Sequence, residues 1–427
     1  MNILHLSAYD FGGAGKAAYR LHRNMKGCGF KSKMVVQKKQ ELDSDVMELN
    51  VTSPLARLYG TLAKGWLKLV SNQDYYFQDQ TRSLLQRKTP FSNLFVFQPD
   101  SIIVHWVSNF VSLNDVRRLS LLTGAPVFWY LMDMAPLTGG CHYAWDCTGY
   151  FHACGKCPAL YSSNPNDVSH CIWKTKWDCA TDIDVTIVPA SSWLDHQAHH
   201  SSLFRIRKIE KILLAVNPEI FRPEIKESAR ERLKLPLDKK IILFGNQALS
   251  LKRKGMSYLL EALQILANRN DVDKGSLLIA IAGDMDQNRA FFDTSFNYIN
   301  LGFLDSDEML ATAYQAADMF ICPSVEDSGP MMINESIMCG TPVVSFAMGV
   351  APDLVHTGVT GYRAELKNSA DLAHGIKSIL DLDSDGAVKM SWECRNLGLQ
   401  LCHPEVQVEA FRKLIESKIN GIHVRQG

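Results

Sequence analysis

Short apolar runs alternate with longer segments of helical periodicity along most of the chain. In the first half, the runs that predict strands cover residues 2–7, 33–37, 101–105, 126–131 and 184–189. Runs of five or six mainly apolar residues fit strands that are buried on both faces, as in a parallel sheet. Their alternation with helical segments predicts an α/β fold with a doubly wound parallel sheet of at least five strands.

The second half repeats this pattern. Predicted strands cover 240–245, 277–283, 297–301, 319–323 and 342–346, and helical periodicity covers 256–269 and 307–318 between them. Two prolines, Pro218 and Pro223, interrupt both patterns and suit a linker. We therefore expect one domain over 1–216 and a second over 217–399.

Composition narrows the class of protein. Of 427 residues, 46% are hydrophobic and 21% are charged, with 45 basic and 45 acidic side chains, which argues against disorder and against a nucleic-acid-binding surface. The amino-terminal segment starts as a strand and lacks the pattern of a signal peptide. Because no run of about 18 apolar residues occurs, we expect no membrane span and a cytoplasmic location.

The most informative segment is 322–346, CPSVEDSGPMMINESIMCGTPVVSF. It predicts a strand, an acidic loop, a helix, a glycine stop and a second strand. Asp327 on the loop and Glu335 on the helix are eight positions apart, with Glu326 as a possible substitute for the first acid. Both carboxylates can face a polyhydroxylated ligand at the carboxyl end of the sheet, unless the loop is only a solvated acidic turn.

The acidic segment resembles the E-x7-E signature of the retaining nucleotide-sugar glycosyltransferases of the large fourth family (glycosyl transferases group 1). The resemblance implies the GT-B fold, in which two Rossmann-like domains face a cleft. It also implies a donor site in the second domain and an acceptor site in the first. A carboxyl-terminal helix at about 400–427 would pack back on the first domain, and catalysis would need no divalent metal.

A basic turn precedes the acidic segment. Lys252, Arg253 and Lys254 follow the predicted strand 240–245. A departing nucleoside diphosphate needs positive charge, and the turn is similar to the family's Arg/Lys pair, although a solvated basic turn is the alternative. Gly283, which ends the predicted strand 277–283, is a further candidate contact for the donor.

A glycine loop is predicted after the first strand. Gly12, Gly13 and Gly15 stand between this strand and the first predicted helix. Glycines there let the backbone approach a ligand closely. The run DFGGAGKAAYRLH resembles the opening loop of the family, and we favour this role over a plain tight turn.

The segment 133–158 is rich in cysteine. Cys141, Cys147, Cys154 and Cys157 lie close in sequence, and thiolates at such spacing can hold a structural zinc ion. Packed free thiols are the alternative. Further candidate ligands are His142, His152, Cys171 and Cys179. The segment resembles a cysteine-rich insert of some polysaccharide-assembly glycosyltransferases.

One position departs from the family pattern. Met132 occupies the place of the family's histidine near the transferred sugar, and methionine neither titrates nor accepts a strong hydrogen bond. We expect Asp133, His142 or His105 to contact the acceptor instead. The alternatives are that the reaction needs no group at this place or that the protein is an inactive enzyme.

The predicted function is transfer of a sugar, with retention, from a nucleoside-diphosphate sugar to a glycan or lipid-linked saccharide in cell-surface polysaccharide biosynthesis. A nucleotide-sugar epimerase or hydrolase, or a non-catalytic sugar-nucleotide-binding subunit, is the alternative. An amphipathic segment at 54–70 could rest on the inner face of the membrane, but packing against the first sheet is favoured.

Overall fold

The chain divides into two compact units. The computed structural model describes residues 1–49, 65, 69–79, 81, 98–245, 251–283 and 296–426. Met1–Leu213 and Gln407–Gly427 form the first unit, and Leu214–Val406 form the second. The sequence placed these divisions at 216/217 and near 400.

The first unit contains a parallel sheet. Among the described residues its strand order is β3-β2-β1-β4-β5-β6. The strands are β1 (Asn2–Tyr9), β2 (Lys31–Lys38), β3 (Val46–Glu48), β4 (Ser101–Val104), β5 (Val127–Leu131) and β6 (Val185–Pro189). Its helices are α1 (Gly12–Gly27), α2 (Leu113–Thr123), α3 (Val168–Ala180), α4 (Ser192–His200) and α12 (Pro404–Gln426).

The second unit contains another parallel sheet. Its order is β12-β11-β10-β7-β8-β9 in the described part of the chain. The strands are β7 (Lys240–Gly245), β8 (Leu277–Ala282), β9 (Asn297–Gly302), β10 (Met319–Cys322), β11 (Val343–Phe346) and β12 (Gly361–Ala364). The helices are α5 (Lys226–Arg232), α6 (Met256–Ala267), α7 (Asp307–Ala316), α8 (Met331–Met338), α9 (Ala351–Leu354), α10 (Ser369–Leu380) and α11 (Ser384–Cys402). The prediction of doubly wound parallel α/β sheets is confirmed.

The glycine segment is helical, which corrects the predicted loop. Helix α1 begins at Gly12, so Gly13 and Gly15 lie in its first turn. A Cβ atom on Gly15 would lie 2.9 Å from the carbonyl oxygen of Tyr9. The absence of a side chain at Gly15 therefore lets α1 pack directly against the end of β1.

Helix α12 is held by side chains of the first unit. The Gln407 amide donates a 2.9 Å hydrogen bond to the Tyr130 hydroxyl, and the rings of Tyr130 and Phe411 meet edge to face. Farther along, Lys418 and Asp184 form an ion pair of 2.5 Å. Most of helix α12 thus belongs to the first unit, although the residues of the second unit separate it in sequence from the rest of the first.

Three buried histidines form a contiguous cluster in the first unit. The imidazoles of His5 and His105 stack with centroids 5.2 Å apart, and His22 meets His5 edge to face at 5.7 Å. Burial lowers the pKa of His105 to about 3 and that of His22 to about 4, and it lowers the pKa of His5 well below its usual value. This part of the core therefore holds uncharged imidazoles at neutral pH.

The described helices include none that is both long enough and apolar enough to cross a membrane. The predicted amphipathic segment at 54–70 lies almost wholly outside the described residues.

The histidine cluster predicts a loss of stability in acid. Below pH 6.5 the unfolded chain binds protons that the folded cluster excludes, so stability falls as the pH approaches the folded pKa values. For His22 alone the loss between pH 7 and pH 5 is on the order of 2 kcal/mol. Urea unfolding at both pH values measures it. His22→Gln should flatten the pH dependence and the exposed His374→Gln should not, whereas identical pH dependence in both variants would exclude this explanation.

Candidate functional site

The basic turn of the second unit is fixed against the loop after β10. Residues Lys252–Lys254 form a short 3-10 helix, and the Val325 N–H donates a 2.8 Å hydrogen bond to the Arg253 carbonyl oxygen. Gly255 ends the turn at φ 71°, and a Cβ there would lie 1.8 Å from the Pro323 carbonyl oxygen. Only glycine lets the two loops approach this closely.

The Asp327 carboxylate binds both cations of this turn. Its Oδ2 atom lies 2.6 Å from Lys254 Nζ and 3.3 Å from Arg253 Nη1. Asp327 is 8% exposed. Burial alone would raise its pKa, but the nearby charges of Lys254 and Arg253 outweigh burial and lower the pKa. The carboxylate is therefore ionised at neutral pH.

Glu335 lies on α8, where it accepts a 3.2 Å hydrogen bond from the hydroxyl of Tyr314. Glu335 is 4% exposed and Tyr314 is fully buried. Burial, followed by the charge of Glu335, raises the pKa of Tyr314 well above its usual value, so the hydroxyl keeps its proton and donates it to this bond. The bond fixes the orientation of the carboxylate.

Glu326 and Gly283 complete the predicted residues of the second unit. The Glu326 N–H contacts the Arg253 carbonyl oxygen at 3.3 Å, and Glu326 is 5% exposed. Gly283 follows β8 and donates its N–H to the Gly302 carbonyl oxygen at 2.8 Å, which holds the ends of β8 and β9 together. The structure thus brings Arg253, Lys254, Glu326 and Asp327 together.

Such a cluster can bind an oxyanion, which would replace Asp327 as the partner of the two cations. The cations Lys254 and Arg253 are half-buried, and both contact one carboxylate. An incoming phosphate offers more negative charge than Asp327 and suits both the point charge of lysine and the planar fork of arginine. Asp327 would then become available to accept hydrogen bonds from hydroxyl groups.

A chain of polar side chains occupies the first unit. Asp133 Oδ2 accepts hydrogen bonds from His142 Nδ1 at 2.5 Å and from Trp106 Nε1 at 2.7 Å, and its Oδ1 accepts the N–H of Ala135 at 2.8 Å. His142 Nε2 lies 3.3 Å from Ser108 Oγ. A carboxylate oxygen accepts the Nδ1 hydrogen, and in that tautomer Nε2 can accept the hydrogen of the serine hydroxyl.

Ser108 and Lys176 are two further polar residues of this region. Ser108, Asp133, Met132 and Trp106 line a small cavity together with Lys176. Lys176 is 4% exposed, its Nζ donates to the carbonyl oxygens of Ala135 at 2.7 Å and Thr138 at 2.8 Å, and burial lowers its pKa to about 8. Neither Lys176 nor Ser108 was among the site residues predicted from the sequence.

His105 also borders this cavity, but its ring lies in the buried cluster. It is 2% exposed, and Nε2 lies 2.9 Å from His5 Nδ1. The imidazole of His105 therefore packs in the core beside the sheet and contacts His5 there. Of the three residues that the sequence offered in place of a histidine at Met132, Asp133 and His142 are brought together.

The zinc site predicted from the cysteines is not supported. No three histidine, cysteine, aspartate or glutamate side chains in the described ranges are arranged to hold a metal ion. The sulfurs have other partners: Cys154 and Cys147 accept backbone N–H groups at 3.2 and 3.4 Å, and Cys141 hydrogen-bonds to Cys157. That bond, ahead of the opposing effect of burial, lowers the pKa of Cys157 to about 7.

Part of this chain is similar to a known protein family. Residues 225–394 match the family described as glycosyl transferases group 1. The D-inositol 3-phosphate glycosyltransferase of Thermobispora bispora is 30% identical over 186 residues, which are 41% of this chain and 43% of that protein. The enzyme of the same name from Mycolicibacterium smegmatis is 29% identical, with 43% and 44% covered. The chain thus aligns with less than half the length of these curated relatives.

Solved structures show the fold over nearly the whole chain. Sucrose-phosphate synthase from Thermosynechococcus elongatus matches with a TM-score of 0.66 at 17% identity and covers 98% of this chain and 99% of that one. HepE from Anabaena, crystallised with UDP-glucose, matches with a TM-score of 0.65 at 14% identity, covering 98% and 100%. Together with the two parallel sheets, these likenesses show the predicted GT-B fold.

The tight approach at Gly255 predicts a selective loss of stability. Gly255→Ala should destabilise the protein by about 1–3 kcal/mol more than Gly302→Ala, because overpacking adds to the strain of a positive φ. Gly302 is the matched control, with φ 73° against 71° and open space around a Cβ. Urea midpoints by tryptophan fluorescence measure the difference. Equal losses in the two variants would show that the backbone at Pro323 moves to accommodate a Cβ at position 255 without a loss of stability.

Proposed function

We propose that this protein is a glycosyltransferase that moves a sugar from a nucleoside-diphosphate sugar to a hydroxyl group of an acceptor, with retention of configuration. The observation that carries the proposal is the Lys254–Asp327–Arg253 cluster, in which the basic turn that follows β7 meets the buried Asp327 of the loop after β10. The match of residues 225–394 to group 1 glycosyl transferases supports it, as do the glycosyltransferase relatives.

In the proposed reaction the second unit binds the donor. The carbon–oxygen bond between the sugar and the diphosphate breaks, and negative charge grows on the departing oxygen. Lys254 and Arg253 stabilise that charge, so they act more strongly in the transition state than in the ground state. Asp327, released from the cations, accepts hydrogen bonds from the sugar hydroxyls. Glu335, already oriented by Tyr314, accepts those of the ribose.

The nucleotide-sugar donor has support from one structural neighbour. HepE was crystallised with UDP-glucose, and its fold matches this chain over 98% of its length. We propose a nucleoside-diphosphate sugar as the donor class, without a catalytic metal, because the basic turn supplies the positive charge. Gly283 and Glu326 of the second unit remain proposed donor contacts, and the role of Gly12, Gly13 and Gly15 stays a prediction.

We assign the acceptor to the cavity of the first unit. Asp133 holds the proton of His142 on Nδ1, so Nε2 accepts the hydroxyl hydrogen of Ser108. The Ser108 oxygen then presents its lone pairs to the cavity and can accept a hydrogen bond from an acceptor hydroxyl. These hydrogen-bonded side chains would orient the acceptor, which Met132 cannot do because methionine accepts no strong hydrogen bond. A glycan or lipid-linked saccharide in cell-surface polysaccharide synthesis is the proposed acceptor.

Met132 favours one other function. A binding subunit without catalytic activity would need the donor cluster but no polar group at position 132. Donor binding without turnover across an acceptor panel would support that function, whereas transfer to water alone would support a hydrolase on the same fold.

Turnover with a panel of UDP, GDP and ADP sugars tests the donor assignment. Lys254→Ala should lower kcat about a hundredfold or more and change the donor KM less, because the lost charge acts on the leaving group. Lys252→Ala, in the same turn, is the control and should keep kcat within about threefold. NMR of the product reports the anomeric configuration. Wild-type turnover in Lys254→Ala would place the phosphate contacts elsewhere.

Ser108→Ala tests the acceptor assignment. It should lower kcat/KM for the acceptor about tenfold, the value of one hydrogen bond, and leave the donor Kd from calorimetry unchanged. Ser120→Ala is matched in burial, at 7% exposed against 6%, and loses a 2.8 Å hydrogen bond to Ala125. A parallel loss in both variants would indicate general destabilisation and would remove Ser108 from the acceptor site.

A further inference from the structure

The second half of helix α4 exposes a group of histidines that the proposed reaction does not use. Its sequence is SWLDHQAHH, so His196 and His200 are one helical turn apart and His199 lies beside them. His196 and His199 are exposed and His200 is half-buried. The imidazoles of His196 and His200 face each other with centroids only 4.2 Å apart and planes tilted by 37°. Two histidines at i and i+4 are a spacing that zinc enzymes use on helices.

The geometry of His200 prepares one nitrogen for a metal ion. Its Nδ1 lies 2.8 Å from the carbonyl oxygen of His196. A carbonyl only accepts, so Nδ1 carries the proton and the lone pair is on Nε2. Metal-binding histidines commonly donate their other ring N–H to a backbone carbonyl in this way, which fixes both tautomer and ring orientation. The ring of Phe151 packs against His200 at 5.0 Å and further restrains it.

His196 is oriented less tightly. Its Nδ1 lies 3.5 Å from the side-chain nitrogen of Gln197, whose oxygen accepts the hydroxyl of Tyr150. A contact of 3.5 Å is at the outer limit of a hydrogen bond, so it opposes a change of tautomer only weakly. His196 can therefore turn Nε2 towards the same point as His200 at little cost.

We propose that His196 and His200 together bind one divalent transition-metal ion through their Nε2 atoms, with water completing its coordination. Imidazole favours Cu²⁺, Ni²⁺ and Zn²⁺ over Mg²⁺ and Ca²⁺, which prefer oxygen ligands. The described residues contain no group of three potential ligands here, so the site has two protein ligands and open positions. It is separate from the cysteines for which zinc was expected.

Neighbouring His199 provides an internal contrast. Its Nδ1 donates to the Asp195 carbonyl oxygen at 2.9 Å and lies 3.6 Å from the Asp195 carboxylate. It is exposed like His196, but within the described part of the chain the facing imidazoles are those of His196 and His200. Removing His199 leaves the facing pair intact.

A bound ion would join two positions one turn apart at the end of α4, where the cysteine-rich segment is attached. Ser201, directly after α4, donates a 2.7 Å hydrogen bond to the Leu137 carbonyl oxygen, and Ser202 donates to that of Tyr150 at 3.0 Å. The folded helix holds the two imidazoles one turn apart, so they can bind one ion together, whereas an extended chain separates them.

Calorimetry and thermal unfolding of the full chain without a histidine tag test the site, with CuSO₄, NiCl₂, ZnCl₂ and MgCl₂ as probes. Accessible thiols are first alkylated with iodoacetamide, because free cysteines would compete for the ions. Wild-type protein should then bind Cu²⁺ more tightly than Ni²⁺ or Zn²⁺ and should not bind Mg²⁺. His196→Ala and His200→Ala should each weaken binding about tenfold or more. His199→Ala should change it less than about threefold.

Binding should also fall as the pH drops from 7.5 to 5, because protonated imidazole is no ligand. Unfolding without metal checks that each variant folds. Equal affinity in wild type and both pair variants, or an equal loss in His199→Ala, would overturn the site. These outcomes do not depend on sugar transfer, so they stand apart from the proposed reaction.

Discussion

The ion pair between Lys254 and the buried carboxylate of Asp327 is the interaction around which the second unit's site is arranged. A carboxylate taken out of water is stable only when it is paired and hydrogen-bonded. Pairing requires the basic turn and the loop after β10 to meet, which the Val325–Arg253 backbone bond and the missing side chain of Gly255 permit. The missing side chain of Gly255 thus lets this ion pair form, and in the proposed reaction the arriving diphosphate replaces Asp327 as the partner of the two cations.

Asp133 sets the corresponding constraint in the first unit. Its carboxylate receives hydrogen bonds from an imidazole, an indole and a backbone N–H, while Lys176 caps two carbonyl groups of the same segment. The consequence is a fixed tautomer of His142 and a fixed direction for the Ser108 hydroxyl. Organisation of this segment thus comes from buried hydrogen bonds rather than from the metal ion that its cysteines suggested.

Most strands were predictable because buried strands of a parallel sheet are mainly apolar, but β3 and β12, at one edge of each sheet, were not. Only one of the three residues of β3 and two of the four residues of β12 are buried, so neither strand forms an apolar run. Lys176 had a signal that was not used: it shares the buried face of α3 with Ile172 and Ala180 at four-residue spacing. Ser108 had none, because its role depends on His142, which lies 34 positions away. The cysteine spacing allowed a metal site, but spacing cannot show that each sulfur already has a hydrogen-bonding partner.

The histidines show why residue type alone could not assign roles. His5 and His105 are stacked in the core, where burial excludes both water and charge, so their nitrogens hydrogen-bond to each other. His196 and His200 have a comparable ring-to-ring contact on a helix surface, where water and ions can reach them. A buried imidazole pair costs stability when protonated, whereas a hydrated pair can exchange water for a metal ion. Solvation, which only the fold decides, therefore separates a structural histidine from a ligand.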